Sequence, residues 1–162
     1  MIDIQIYILF QMVVYARKSP RAKRYDYHFW GMYFTTICTK DRECYFWTIE
    51  NGEMKLSEIG EICEEELQRM LDKRPDVDMH DYVIMPNHVH LLFYKWEKSY
   101  SLWSVIWWRK SAVSKRCHET WLTFEWQTSY HDSIVRDEIS YNTIINSIDE
   151  NPKNWGEDQF YQ

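Results

Sequence analysis

The sequence predicts a mixed α+β fold of short strands and three helices. Several runs are rich in β-branched and aromatic residues and are bounded by turn residues, as strands are. Other segments place apolar residues at helical spacing behind a capping residue. The two kinds of segment alternate along 162 residues. This length suits a single domain, residues 1–162, that buries a sizeable core.

The chain begins with an apolar segment. Isoleucines alternate at residues 2, 4, 6 and 8, which favours an extra edge strand. The segment carries Asp3, lacks a basic leader and is too short to span a bilayer, so we expect no membrane association. A basic cluster follows, formed by Arg17, Lys18, Arg21, Lys23 and Arg24.

The first predicted strands lie in residues 31–56. Residues 31–39 combine β-branched and aromatic side chains, which predicts a central strand. Residues 44–49 and 53–56 flank Asn51-Gly52, a turn pair that tolerates positive φ and predicts a hairpin.

Ser57 is the predicted cap of the first helix. Glu58 and Glu61 give the first turn acidic charge, which the helix dipole favours. Apolar residues then recur at helical spacing, and Arg74-Pro75 closes the segment. These apolar residues are Ile59, Ile62, Cys63, Leu67, Met70 and Leu71.

Residues 77–84 and 88–94 predict two further strands with Pro86-Asn87 between them. His88 and His90 are two apart on the second strand, so both imidazoles leave the sheet on one face. Such a pair suits a divalent metal, which needs at least one more ligand. From two histidines alone, a chance or half-buried polar pair remains an equal alternative.

Residues 101 to about 119 predict the second helix, with Leu102, Ile106, Val113 and Cys117 on its inner stripe. Five cations and no acid lie between Lys98 and Arg116. Arg109 and Arg116 are seven apart and are expected to share an outer face, with Lys110 beside them. A solvated charged face is the usual interpretation of such residues, but next to a metal pair a track for phosphates is favoured.

Residues 121–126 predict a strand or extended segment, and residues 127–136 a polar, aromatic connection. Asp137 then caps the third helix, whose buried stripe is Tyr141, Ile144, Ile145 and Ile148. Asn151-Pro152 ends this helix. Ser147 and Asn151 are four apart and share one flank of it. The polar tail that follows has Trp155, Phe160 and Tyr161 available to dock.

The composition limits the function classes. A net charge of −6 argues against a protein that coats duplex DNA non-specifically, although the basic clusters leave local patches. Nine Trp and twelve Tyr suit packing and also stacking on bases. The four cysteines form no Cys-x-x-Cys motif and are expected to be reduced and buried in a cytoplasmic protein.

An ordered series of motifs resembles one known family. The series includes Met85-Pro-Asn-His-Val-His90, Asn151-Pro-Lys-Asn-Trp155 and the segments 31–39, 41–46, 51–56, 125–127 and 134–138. The chain resembles the REP-associated tyrosine transposases, within the single-tyrosine HUH transposases. The resemblance runs from about Lys18 to Tyr161 and leaves residues 1–16 as an N-terminal extension.

The resemblance implies an antiparallel β-sheet flanked by helices, the ferredoxin-like HUH nuclease fold. Family members bind a DNA hairpin, cut single-stranded DNA beside it and hold the 5′ end as a phosphotyrosine. The implied metal ligands are His88, His90 and Asn151, which would hold Mg²⁺ or Mn²⁺. The ion would polarise the scissile phosphate and stabilise the leaving 3′ oxygen. The implied partner is single-stranded or hairpin DNA, contacted by the basic clusters.

The chain departs from the family at two positions. The nucleophilic tyrosine of the family lies four residues before the Asn ligand, where this chain has Ser147. A serine hydroxyl is shorter in reach and is a poorer nucleophile and leaving group than a phenol. Tyr141 is on the opposite side of the helix, and Tyr130 lies outside it. Ser133 replaces a histidine that relatives usually carry.

Two functions are therefore compatible with the sequence. One is a transposase-type single-strand endonuclease and strand transferase, with its activity lost at Ser147 or reassigned to a residue such as Tyr130. The other is a catalytically inactive protein that binds metal and DNA hairpins. An unrelated His-x-His metallohydrolase is disfavoured, because no carboxylate is placed as a general base. A monomer and a dimer are equally compatible with the sequence.

Overall fold

A computed structural model describes residues 30–50, 53–73, 75–96 and 100–161. Several sequence predictions lie outside these residues. They are the N-terminal edge strand, the Asn51-Gly52 turn, the helix end at Arg74, Lys98, and the basic cluster of Arg17, Lys18, Arg21, Lys23 and Arg24.

The described residues confirm the α+β class. The elements follow the order β1 Gly31–Cys38, β2 Trp47–Glu50, β3 Glu53–Leu56, α1 Glu58–Lys73, β4 Val77–Met85, β5 His88–Lys95, α2 Leu102–Glu119, β6 His131–Val135 and α3 Glu138–Glu150. Short 3₁₀ turns occupy Lys40–Arg42 and Trp155–Glu157.

Four strands form an antiparallel sheet in the order β4-β5-β1-β6. β1 is central, as its composition predicts. β4 and β5 form a hairpin across Pro86-Asn87, with Met85 paired to His88 and Val83 to His90. β2 and β3 form the predicted hairpin as a separate two-stranded sheet. The antiparallel sheet flanked by helices is therefore confirmed.

The prediction that residues 127–136 form only a connection is wrong, because β6 lies within it. β6 pairs along β1, with Ser133 opposite Phe34 and His131 opposite Thr36. Three polar residues, His131, Asp132 and Ser133, lower the local strand signal. Backbone pairing with the edge of β1 opposite β5 overrides this weak propensity. Residues 121–126 form an extended loop with a single bridge from Trp126 to Thr39.

Capping side chains begin the helices where the sequence predicts. The Gly60 amide donates to Ser57 Oγ at 3.1 Å, and the Ser104 amide to Ser101 Oγ at 3.2 Å. Asp137 Oδ1 accepts from the Ser140 amide at 2.7 Å. These side chains satisfy amides that a helix N-terminus leaves without partners.

The two faces of the sheet carry different clusters. Val89, Leu91 and Phe93 of β5 point to one face and pack in the main core, which includes residues of α1 and α2. Phe34 and Leu92 point to the other face and pack with Ile144 and Ile148 of α3. His88 and His90 alternate with the main-core residues and so share the α3 side.

Three of the four cysteines are buried, and all four are free thiols. The expectation of burial is wrong for Cys44, which is exposed because it lies in the loop before β2. Phe160 of the C-terminal segment docks into the protein and is fully buried. In the part of the chain that the structure describes, none of the helices has the length and apolar character needed to cross a bilayer.

Candidate metal centre

The two histidines of β5 converge on one point. Nε2 of His88 lies 3.0 Å from Nε2 of His90, and both side chains are fully buried. Strand alternation places them on one face, and the two rings meet at 72°. The two Nε2 atoms are within hydrogen-bond distance of each other.

The opposite nitrogen of each imidazole has its own partner. Nδ1 of His90 lies 2.9 Å from Oγ1 of Thr36, its neighbour on β1. Nδ1 of His88 lies 2.9 Å from Oδ1 of Asn87. Metal-binding histidines commonly have such a partner, which fixes the tautomer and the ring orientation. The arrangement leaves the two Nε2 atoms as the atoms that can bind an ion.

Burial keeps both histidines neutral. Desolvation lowers the pKa of His90 from 6.5 to about 3. Desolvation also lowers the pKa of His88, with smaller contributions from His90 and Arg42. A neutral imidazole has the lone pair that a metal requires.

A carboxylate lies beside the pair, and sequence analysis missed it. One carboxylate oxygen of Asp158 and one ring nitrogen of each histidine all lie within 4.8 Å of one another. Asp158 follows α3 in the C-terminal segment, where its Oδ1 accepts from the Phe160 amide at 2.7 Å. Burial raises its pKa, and that amide and Arg42 oppose the increase. No local signal predicts Asp158, because the tail reaches the site only through the fold.

These residues fit a divalent ion. Two ligands at a right angle, each about 2.1 Å from Mg²⁺, are about 3.0 Å apart. The two Nε2 atoms have this separation. Two neutral nitrogens and one carboxylate form a donor set that Mn²⁺ and similar divalent metals accept. Among the described residues, this is the one group of three histidine, cysteine or acidic side chains with such spacing.

The end of α3 faces the same side of the sheet. The Phe34 ring stacks on His90 with centroids 5.2 Å apart and packs with Ile144 and Ile148. Ser147 and Asn151 are both buried at this end of the helix. In the described part of the chain, Ser147 Oγ has no hydrogen-bond partner.

Tyr130 and Tyr141, the two tyrosines considered in place of residue 147, both pack in apolar clusters. Tyr130 is buried in the main core, on the sheet face opposite the histidines. Tyr141 is half-buried in the α3 cluster, and its hydroxyl lies 3.2 Å from Nδ1 of His80. Ser133 lies on β6 opposite Phe34 and is buried.

The predicted cations of α2 have internal partners. Arg109 is 4% exposed, with its guanidinium over the Phe93 ring, so the prediction that it shares an outer face with Arg116 is wrong. Lys110 is also buried and donates to the carbonyls of Gln127 and Thr128. A long aliphatic stem lets such cations cross an apolar layer.

Arg116 is half-buried and pairs with Glu65 at 2.7 Å and Glu66 at 3.1 Å. Its charge therefore joins α2 to α1. A phosphate track through these three α2 cations remains a prediction, and it would require them to exchange their present contacts.

The exposed side of α2 carries a pair of stacked indoles. Trp103 and Trp107 are one turn apart, with ring centroids 5.3 Å apart and an interplanar angle of 8°. Their exposed fractions are 46% and 53%. Large aromatic surfaces of this kind are suited to stacking on unpaired bases.

No family model matches the sequence. A Haemophilus influenzae protein, described only as uncharacterized, is 31% identical over 170 residues, spanning 91% of this chain and 94% of that protein. The chain is also similar to the solved structure of a REP-associated tyrosine transposase bound to a REP hairpin. That match has a TM-score of 0.61 and 20% identity and covers 84% of this chain and 74% of the other.

A second solved structure, of a suspected transposase from Deinococcus radiodurans, has a TM-score of 0.51 and 17% identity. It covers 80% of this chain and 95% of that chain. At these identities, the two structures show a shared fold. The chain therefore has the fold of these transposase structures and belongs to the same family as the Haemophilus influenzae protein.

Proposed function

We propose that this chain is a transposase-type protein that binds single-stranded or hairpin DNA at a Mg²⁺ or Mn²⁺ site and has lost its cleaving group. The observation that carries the proposal is the convergence of the His88 and His90 Nε2 atoms, 3.0 Å apart in a buried site. Two such nitrogens with a nearby carboxylate have a clear use in metal binding.

The choice of DNA rests on the fold and on the sequence motifs together. The REP-associated transposase with this fold is bound to a REP hairpin. The His-x-His strand of this chain is β5, and the Asn-Pro motif follows α3, whose Ile144 and Ile148 pack on the sheet face that carries the histidines. A fold alone does not determine function, so the proposal depends on these site residues.

His88 and His90 would hold the ion, with Asp158 or Asn151 as a further ligand. Thr36 and Asn87 would keep the two imidazoles in the orientation that exposes Nε2. The bound ion would polarise a phosphate and stabilise charge on a leaving oxygen. Burial by Trp155 and Phe160, whose rings lie 6.1 and 4.5 Å from that of His88, would limit access of water to these ligands.

The proposed loss of cleavage rests on Ser147. Its hydroxyl is buried and has no partner among the described residues, so no base is positioned to remove its proton. A serine in this place is also shorter than the tyrosine that the resemblance implies. Reassignment of the nucleophile to Tyr130 is the less favoured alternative, because Tyr130 would have to leave the main core.

A preference for unpaired DNA follows from the surface. The net charge of −6 disfavours general duplex binding, while Trp103 and Trp107 offer a stacked aromatic surface. Unpaired bases in a hairpin loop or a flanking strand can stack there, whereas paired bases are less accessible. We therefore expect hairpin DNA to bind more tightly than a blunt duplex.

A binding titration tests the proposed function. A labelled hairpin oligonucleotide with a single-stranded flank is compared with a blunt duplex of equal length, each with Mn²⁺ and with EDTA. We expect salt-dependent binding that favours the hairpin by at least about tenfold, an amount that one stacked base can supply. Equal or reversed affinities would contradict the proposal.

A further inference from the structure

We infer that Arg42 binds a DNA phosphate beside the His88–His90 pair. The inference rests on the proposed function and adds a phosphate-binding residue to that site. Arg42 ends the short 3₁₀ turn after β1, in a loop that packs against the β4–β5 hairpin.

The Arg42 guanidinium and the His88 imidazole both contact the ring of Phe160. The guanidinium carbon of Arg42 lies 4.3 Å from the centroid of the Phe160 ring. The centroid of the His88 imidazole lies 4.5 Å from that same centroid. The guanidinium is thus a near neighbour of the site, and the face of Phe160 supports it by a cation–π contact.

The loop holds Arg42 in an unusual backbone conformation. Asp41 and Arg42 have φ values of 51° and 59°, in the left-handed region that residues other than glycine rarely adopt. Such a conformation is destabilising by itself and persists when surrounding contacts impose it. Strained residues of this kind are concentrated at functional sites, which makes the position of this side chain notable.

Asn87 links this loop to the metal site. Its Nδ2 donates to the Arg42 carbonyl at 3.1 Å and to the Phe160 carbonyl at 2.8 Å. Its Oδ1 lies 2.9 Å from Nδ1 of His88. One side chain therefore fixes the Arg42 loop, the C-terminal segment and the imidazole relative to one another.

In the part of the chain that the structure describes, Arg42 contacts a carbonyl and not an acidic side chain. Its Nη1 donates to the Gln159 carbonyl at 3.3 Å, and no described carboxylate forms an ion pair with it. Other cations do have ion-pair partners: Lys40 pairs with Glu125, Lys115 with Glu119, Lys153 with Glu150, and Arg116 with Glu65 and Glu66. Arg42 thus brings to the site a positive charge that has no ion-pair partner among the described residues.

This charge acts on the neighbouring groups. Arg42 contributes to the lowered pKa of both His88 and His131 and opposes the rise in the pKa of Asp158. A divalent ion held by the histidines would add further positive charge, while Asp158 supplies one negative charge. An additional anion would balance such a site. A phosphate matches the guanidinium, which can donate two parallel hydrogen bonds to it.

The test compares Arg42→Gln with Lys40→Gln. Both variants remove one positive charge from the same short turn, but Lys40 is already paired with Glu125. Binding of the flanked hairpin in Mn²⁺ is measured at several salt concentrations. We expect Arg42→Gln to weaken binding about tenfold and to reduce the salt slope by about one phosphate contact, while Lys40→Gln stays within about twofold of the parent.

Two further measurements separate a phosphate contact from a structural role. Arg42→Lys should keep the salt slope of the parent, because it keeps the charge, and should show an intermediate affinity. Calorimetry should show that Arg42→Gln binds Mn²⁺ at least as tightly as the parent. Loss of Mn²⁺ binding in Arg42→Gln would assign Arg42 a structural role and overturn the inference.

Three further outcomes would overturn the Arg42 inference. Parent-like DNA binding by Arg42→Gln, or equal losses in Arg42→Gln and Lys40→Gln, would overturn the Arg42 inference and leave the proposed function standing. Failure of the parent protein itself to bind the hairpin would overturn both.

Discussion

The backbone amide of Asn151 donates to the carbonyl of Ser147 at 2.9 Å, which closes the last turn of α3. Both side chains are buried. The identity of residue 147 can therefore change without moving the main chain that positions Asn151. A site that has lost its nucleophile in this way would retain its capacity to bind metal and DNA.

The first prediction concerns the candidate metal site. His88→Ala and His90→Ala should each weaken Mn²⁺ binding by more than about 100-fold, because each removes a proposed ligand from a small donor set. Isothermal titration calorimetry measures the effect. His80→Ala is the matched control, since His80 is exposed and contacts Tyr141. Equal Mn²⁺ affinity in all three variants and the parent would rule out this site.

Adjacent threonines of β1 provide the second prediction. Thr36→Val removes the hydroxyl that orients His90 and should weaken Mn²⁺ binding by about 10-fold. Thr35→Val makes the same change on the opposite face, where Thr35 Oγ1 has no hydrogen-bond partner among the described residues. Thr35→Val should leave Mn²⁺ affinity unchanged and should not lower the melting temperature. Similar metal affinities in the two variants would contradict the role of Thr36.

The third prediction is that acid lowers the stability of the metal-free protein, because His88 and His90 are buried. In EDTA, the free energy of unfolding should fall as the pH drops below 6.5, because the unfolded chain binds protons that folded His88 and His90 resist. Above pH 6.5 both states are neutral at these residues and the effect vanishes. For His90 the decline continues to about pH 3, its pKa in the folded state.

Each histidine contributes at most about 1.4 kcal/mol per pH unit to this decline. Urea titrations across the range should therefore give a shallower pH dependence for His90→Asn than for the parent. Identical slopes would show that His90 does not titrate with a lowered pKa.

The stacked indoles of α2 give the fourth prediction. Replacing both Trp103 and Trp107 with alanine should weaken binding of the flanked hairpin by about 5-fold to 100-fold, the range expected for loss of one base–aromatic stack. Fluorescence anisotropy measures the change. Trp121→Ala is the control, since Trp121 is 94% exposed and lies beyond the other end of the helix. Equal losses in both variants would remove the argument for a stacking surface.

Local sequence signals predicted most of the fold. Ser57, Ser101 and Asp137 cap their helices, and the apolar stripe of α3 is found at Ile144 and Ile148. β6 was missed because its polar residues pair with a strand nearly a hundred positions earlier. That pairing depends on the assembled sheet, which a local pattern does not contain.

The candidate site was predictable where its residues are neighbours in sequence. Strand alternation predicted the shared face of His88 and His90. Asp158 and Arg42 reach the same site through the docked tail and the turn after β1, so they leave no spacing signal. Burial of Arg109 and Lys110 was also unpredictable, since a charged residue within a helix usually indicates a solvated face.

We propose that the site lacks only the nucleophilic tyrosine and keeps its capacity to bind metal and DNA. The direct measurement is a denaturing gel after incubation of a flanked hairpin oligonucleotide with Mn²⁺ and either the parent or Ser147→Tyr. The phenol would lie one turn from Asn151, and correct placement supplies a large part of such a rate. Ser147→Ala controls for loss of the native hydroxyl, and His88→Ala in the Ser147→Tyr background controls for the metal.

We predict no denaturation-resistant adduct with the parent or Ser147→Ala, and a Mn²⁺-dependent adduct with Ser147→Tyr that His88→Ala abolishes. An adduct already present with the parent would contradict the account, and peptide mapping would then identify the nucleophile. Absence of an adduct from Ser147→Tyr, with metal and hairpin binding intact, would equally contradict the claim that only the tyrosine is missing.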